Sequence, residues 1–262
     1  MVEISSKYKI GTRRFGSVNW IGAWTLYKKE VLRFLNVWIQ TILSPLVSAL
    51  LFLLVLSLAI GTDRGNVLGV PFINFLAPGL VAMQVIQQSF SHSSSSFMIG
   101  KVQGNIVDIL YAPLSAGEVT IAITLASVTR SIMIAFISIC IFKIFIDLEI
   151  KNYFTLVLFT LLSSFILGAL GIITGLWAEK FDNMATVTNF IIIPLSFLSG
   201  TFYTIDKLPS SLYTISKGNP FFYMIDGFRY SFINKSDGSI TIGLIYLTVL
   251  SFVMWLIAYL LY

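Results

Sequence analysis

Charge is scarce in this sequence: of 262 residues only 11 % are Asp, Glu, Lys or Arg, while 56 % are apolar. A soluble domain carries about a quarter charged residues, so the composition excludes a water-soluble globule and defines a membrane protein. Cysteine is reduced to Cys140, which excludes an intrachain disulfide and leaves the redox compartment unread. The single histidine, His92, sits among serines with no Cys, Asp, Glu or second His at ligand spacing. No metal site is expected there, only a hydrogen-bonded place on a helix surface. A phosphate-cradling G-x-x-x-x-G-K-[ST] loop is also missing. Its nearest approach, residues 11–16, lacks the lysine that reaches the phosphates. No secretory signal peptide is expected, because the first long apolar run starts near Val37 and no small-residue cleavage site follows it.

What charge there is lies unevenly. The formal net charge is +5, and seven of the seventeen Lys and Arg residues precede Asn36, flanking the first apolar run. Lys and Arg beside a first span orient it with that flank on the cytoplasmic side, so the basic residues predict membrane orientation and no nucleic-acid partner. Residues 1–36 read as a cytoplasmic arm followed by an interfacial amphipathic helix. In that helix Trp20, Trp24, Tyr27, Val31 and Phe34 share one face and Lys29 and Arg33 lie opposite. Tryptophans at the boundary anchor such a helix among lipid headgroups; contact with a partner protein is the alternative. Residues 37–262 read as one transmembrane domain of six helices, over about 37–60, 72–97, 119–142, 153–177, 190–202 and 240–262. The fold class is therefore an all-α membrane protein, with both termini on the cytoplasmic side.

Four features stand out from plain spans. The second, with Pro78 and Gly79, predicts a kinked helix with a wet end at Gln84, Gln87, Gln88 and the serine run. Arg130 falls near the middle of the third span, where a charge costs at least about 2.5 kcal/mol on insertion scales. It is expected to face the bundle interior or water, paired with a carboxylate or with helix carbonyls, as part of a transport route or a structural clasp. Between the second and third spans, Ile106, Ile109, Leu110 and Pro113 share a face, Asn105 can cap and Asp108 favours the first turn. This short amphipathic helix either lies on the bilayer or docks on another protein, with Tyr111 and Pro113 expected to be buried. In the fourth span Gly171 and Gly175 form a small-xxx-small pair for close helix packing, first of all within the subunit.

The region 190–229 starts as a span, breaks at Pro194 and Gly200, and returns polar through Pro209, Asn219 and Pro220 to Tyr223 and Arg229. Broken helices at membrane depth persist only where protein or a water-filled cavity satisfies the freed backbone groups. A pocket or pathway with a partly re-entrant connection between helices five and six follows.

Six spans, the interfacial helix, the short helix after span two and the broken connection together resemble the type-2 ATP-binding-cassette export permeases. The stretches 75–80 (FLAPGL), 108–115 (DILYAPLS), Phe181-Asp182, 194–203 (PLSFLSGTFY), Leu208-Pro209 and Asn219-Pro220 with Tyr223 and Arg229 are similar to that family's landmarks. The nearest likeness is to bacterial inner-membrane permeases of the multidrug, nodulation-factor and polysaccharide export group. Asp108 stands where a glutamate is expected, and Thr201 where a small or aliphatic residue is usual. The resemblance implies a chain that does no ATP chemistry and binds no cofactor, with ATP and Mg held by a separate cytosolic ATPase. It also implies two copies each of permease and ATPase, the permease as a homodimer, with Ile106, Asp108, Ile109, Leu110, Tyr111 and Pro113 in the ATPase groove. Cargo would be a lipid, a glycolipid or polysaccharide, or a hydrophobic drug. A self-sufficient channel or ion-coupled carrier using Arg130, Glu118 and the broken region is the competing class, but intramembrane carboxylates and internal repeats are not evident. An intramembrane enzyme lacks an aligned nucleophile, base and orienting group.

Overall fold

A computed structural model describes residue 16, residues 18–60 and residues 65–262. The basic arm with Lys7, Lys9, Arg13 and Arg14, most of the 11–16 stretch, and Gly61, Asp63 and Arg64 lie outside the described residues. The chain runs α1 (Trp20–Asn36), a π turn (Ile39–Leu43), α2 (Ser44–Ile60), β1 (Asn66–Val67), β2 (Val70–Pro71), α3 (Phe72–Gln103), α4 (Ile106–Tyr111), α5 (Ala116–Phe145) and α6 (Tyr153–Trp177). It continues through α7 (Phe181–Val187), a second π turn (Thr188–Ile192), α8 (Ile193–Leu198), α9 (Ser210–Gly218), α10 (Pro220–Ile233) and α11 (Ile240–Leu261). The small antiparallel hairpin, with Val67 opposite Val70, qualifies the all-α expectation. Leu68 and Gly69, at φ 51° and 78°, supply the left-handed pair that a two-residue hairpin turn requires.

Among the described residues, five segments are long and apolar enough to cross a membrane: Ile39–Ala59, Ala116–Phe145, Tyr153–Trp177, Phe181–Leu198 and Ile240–Leu261. The remaining long helix, α3, has 32 residues, and its glutamines and serines keep it out of that set. It is the centre of the bundle. α3 packs against α5, α6 and α10, so its polar side chains meet protein where a peripheral helix would meet lipid. The helix is continuous through Pro78.

Helical periodicity sorts those polar residues into two sets. Ser89, Ser93, Ser94 and Ser96 are buried, small side chains that let α6 approach. A Cβ on Gly171 would lie 2.6 Å from the Phe90 carbonyl oxygen, and one on Gly175 3.0 Å from that of Ser94. The glycine pair thus joins α6 to α3 inside the subunit, as its spacing predicts. Gln84, Gln87, Gln88, Ser91 and Ser95 lie on the other face and line a cavity. The expected wet end therefore holds for one face of α3 only. His92 departs from the helix-surface expectation: it is fully buried, edge-on to Phe34 with ring centroids 5.6 Å apart.

Prolines shape two of these segments, Ile39–Ala59 and Phe181–Leu198. Proline has no N–H and its ring clashes with the carbonyl four residues earlier. The π turns at Ile39–Leu43 and Thr188–Ile192 end just before Pro45 and Pro194, and a wider turn gives that ring room. The break expected at Pro194 is absent for this reason. The Phe181–Leu198 segment continues past it and stops at Ser199-Gly200, where Gly200 is left-handed at φ 76°.

Candidate functional site

The first site is the junction of α1, α4 and α5. Ser115 and Glu118 form a reciprocal capping box at the start of α5, the arrangement that an S-x-x-E sequence before an apolar run encodes. The carboxylate does more than cap. Glu118 Oε2 accepts from the Ser115 N–H at 2.6 Å while Oε1 accepts from the Asn19 N–H at 2.6 Å. Asn19 in turn caps α1 through the Gly22 N–H at 2.9 Å, and its amide donates to the Pro113 carbonyl at 3.2 Å. One buried acid and one buried amide thus tie the entry of α1 and the exit of α4 to α5. Along α5 the contact continues at Tyr27, whose hydroxyl meets that of Thr129 at 2.9 Å. α1 therefore runs beside the first half of α5.

Its apolar face is divided. Leu26, Glu30 and Phe34 turn inward, while Trp20 and Trp24 are 76 % and 64 % exposed. Arg33 does not lie on a free polar face: Nε donates to Glu30 at 2.9 Å and the guanidinium reaches the His92 carbonyl at 3.0 Å. Glu30 is buried only because Arg33 neutralises it and shares its hydrogen bonds.

The short helix α4 inverts part of its expected burial. Ile109 is buried and Ile106 half-buried, but Leu110 is 60 % and Tyr111 86 % exposed, with Val107, Asp108 and Pro113 exposed as well. Tyr111 is free of the bundle because Ile109 is the side chain that anchors the helix. Asn105 occupies the cap position without bonding the first turn; its amide donates to Gln103 instead, at 3.2 Å. A neighbouring brace is Lys101, whose Nζ donates to the Leu176 and Ala178 carbonyls at 2.5 and 2.9 Å. This places a cation on the C-terminal end of α6, where the helix dipole favours it.

Arg130 sits on α5, only 5 % exposed. Its guanidinium donates to the Gln88 amide oxygen and, at 3.4 Å, to the Thr41 carbonyl. Pro45 has no N–H to offer that carbonyl, so the proline and the arginine are complementary. A carboxylate partner, one of the two kinds expected, is not found among the described residues. Arg130, Gln87, Gln88 and Arg33 border a cavity of about 570 Å³ between α1, α2, α3 and α5.

A second cluster ties the broken connection to α3. Arg229 donates to the Gly200 and Thr201 carbonyls at 2.7 and 3.2 Å and lies 3.9 Å over the ring of Phe75. Gly79 leaves the space: a Cβ there would lie 2.8 Å from the Thr201 oxygen and 2.9 Å from Arg229. Asn219 donates to the Leu195 carbonyl and to Ser199 Oγ at 3.1 and 2.8 Å, and accepts from the Phe221 N–H. It closes α8 and opens α10, with Pro220 at the start of α10, where a missing N–H costs nothing. Pro209 precedes α9, and Tyr223 stacks edge-on with Tyr246. Pro194 is exposed and joins neither cluster. The structure thus brings Gly200 and Arg229 together with Phe75 and Gly79, and sets them apart from the α4 residues.

On α10, the Asp226 carboxylate accepts from the Asp237 and Gly238 N–H groups of the following loop at 3.0 and 2.9 Å. Burial and the nearby Asp226 charge push the Asp237 carboxyl up to about 6. A carboxyl raised in the folded state is favoured when protonated, so its contribution is most stabilising below the ordinary value of 3.8 and is lost as pH rises to about 6. Between pH 7 and 5 the thermal midpoint is expected to rise, and Asp237→Asn to remove that part of the rise. Thermal melts of the two proteins across this range check it.

Sequence reading missed the capping role of Asn19, the space that Gly79 leaves for Arg229 and the bridging role of Glu118. The S-x-x-E spacing was a visible signal for the cap, but the partner ninety-nine residues away left none. Glu118→Ala is expected to loosen α1 by about 1.5 to 3 kcal/mol, the worth of the one charge-assisted bond that joins it to Asn19. Hydrogen exchange should then quicken in α1 and α4 while α6 keeps its protection.

Helices of this length and apolarity around a polar-striped central helix make the chain a multi-pass helical membrane protein. Its residues 22–233 match the family described as ABC-2 type transporter, and the chain belongs to that family. It is 29 % identical over 218 residues to the inner membrane transport permease YadH of Escherichia coli (strain K12), covering 83 % of this chain and 85 % of that one. It is 23 % identical over 233 residues to nodulation protein J of Rhizobium leguminosarum bv. viciae, covering 86 % of each. Against nodulation protein J of Rhizobium meliloti (strain 1021) the identity is 24 % over 213 residues, with 80 % of each chain covered.

Proposed function

We propose that the chain is the membrane-spanning permease subunit of an ATP-driven exporter of the bacterial inner membrane. In this reading α3 is also a span, the second of six, both termini are cytoplasmic, and α9 and α10 form the re-entrant part of the connection between spans five and six. Two permease copies, as a homodimer, work with two copies of a separate cytosolic ATPase that holds the ATP and Mg. Cargo is a lipid, a glycolipid or polysaccharide, or a hydrophobic drug.

The observation that carries the reading is α4. Exposed apolar side chains on a helix held by a buried clamp suit a docking surface: Val107, Leu110 and Tyr111 face outward while Ile109 and the Glu118–Asn19 bridge fix the helix to α1 and α5. A push on α4 reaches Glu118, and through Asn19 it reaches α1, without any flexible link between them.

Purification of the tagged protein from its own cells in mild detergent, with the assembly mass and the bound chains recorded, tests this. A two-plus-two assembly with a cytosolic ATPase is expected. A lone chain that moves solute across vesicles without ATP would replace it with a channel or carrier.

A further inference from the structure

The polar cavity beside Arg130 is built for an anion. On its wall lies the Arg130 guanidinium, in the middle of the third span, held only by the Gln88 amide and the Thr41 carbonyl, and its Nε, although buried, has no hydrogen-bond partner. Gln84 Oε1, on the same wall, also lacks one. The second guanidinium on the cavity, Arg33, has spent its charge on Glu30. Among the described residues Arg130 is therefore a buried cation answered by neutral dipoles alone, in a region where an unanswered charge is costly. Arg229, the other buried guanidinium, is held by two carbonyls against the Phe75 ring, with no such cavity beside it. Arg130 faces open volume of about 570 Å³, the size of a small-molecule pocket.

The surroundings narrow the ligand further. Gln84, Gln88, Ser91 and Ser95 form one stripe along α3 leading to Arg130, and each can hydrogen-bond a polar head. On α2, Ser44 and Ser48 line the same cavity, while Leu43, Val47 and Leu51, a turn apart, face outward and are 38 %, 47 % and 56 % exposed. A polar chamber that opens beside an exposed apolar stripe suits a molecule with a charged head and a hydrocarbon tail.

We infer that this cavity binds the head of an anionic amphiphile, a phosphate or carboxylate held by Arg130 with its tail along α2. Guanidinium forks match both oxyanions in geometry as well as charge. The inference rests on the transport reading only where it makes this amphiphile the cargo; an anionic lipid resident in the bilayer offers the same chemistry.

The test compares dodecyl phosphate with the neutral dodecyl glucoside on the full-length permease, purified with whatever subunits it retains and reconstituted in phosphatidylcholine nanodiscs. Wild-type protein is expected to bind the phosphate at least about tenfold more tightly than the glucoside, as a charge-assisted pair requires. Arg130→Gln should remove that preference and Arg130→Lys restore part of it, with glucoside binding unchanged in both. Equal binding of the two probes by the wild type overturns the inference whether or not the variants fold, and so does a preference that survives Arg130→Gln. Lipid extraction with mass spectrometry before and after ATP turnover separates the sources. An anionic lipid that stays bound is a resident one, and one that is depleted is cargo. Absence of an ATPase would remove the transport reading and leave the charge preference standing.

Discussion

Gly171→Leu is expected to prevent the bundle from assembling. A single added Cβ would meet the Phe90 carbonyl at 2.6 Å and Ser93 Cβ at 2.9 Å, and neither can retreat, because both belong to the central helix α3. Leucine adds further carbons to the same gap. Overpacking of a tight core costs about 1 to 3 kcal/mol where side chains can adjust; against backbone the upper end is the minimum. The loss also separates the α3 serines from the wall that covers them. Expression in membranes followed by fluorescence-detected gel filtration should show aggregated or degraded protein, with Ile245→Leu on the exposed face of the final helix as the apolar control. A monodisperse Gly171→Leu protein at wild-type yield would mean that α3 and α6 do not touch here.

The paired change Leu110→Ala, Tyr111→Ala should do the opposite, leaving stability alone and removing partnership. Both side chains are exposed, at 60 % and 86 %, so truncation is expected to shift stability by no more than about 0.5 kcal/mol. An aromatic seated in a partner's groove is worth about 2 kcal/mol or more, a thirtyfold or greater loss of affinity. Recovery of the ATPase with the permease should fall accordingly while the thermal midpoint holds. The same variant with wild-type recovery would remove α4 as the docking helix.

Much of the fold was legible because lipid demands long apolar runs and helices with their hydrogen bonds satisfied internally. α6 begins at Tyr153 and ends at Trp177, where the run of apolar residues does. The glycine pair was legible for a related reason: small residues a turn apart have few uses inside a membrane other than close approach. What could not be read was orientation about a helix axis. Trp20 and Phe34 share a face on a wheel, yet one looks outward and the other packs on His92, because Glu30 and Arg33 can neutralise each other and enter the protein. Tyr111 was misjudged the same way, since burial of Ile109 leaves its neighbours exposed. Pro194 misled for a different reason: its steric demand was clear, but the π turn that absorbs it depends on hydrogen bonds that composition does not encode. Arg130 was recognisable as a mid-membrane charge, whereas its partners come from helices separated in sequence by 42 and 89 residues.

The account depends most on α4 as the place where an ATPase meets this chain. Cys140 is the sole cysteine and is exposed, so Cys140→Ser gives a background in which Tyr111→Cys carries the only thiol. A photoactivatable maleimide on that thiol, irradiated in intact cells and followed by mass spectrometry of the joined peptides, reports what lies against α4. The account predicts a cytosolic ATPase chain joined at that position. An ATPase recovered with the permease but joined elsewhere, or adducts to lipid alone, would contradict it.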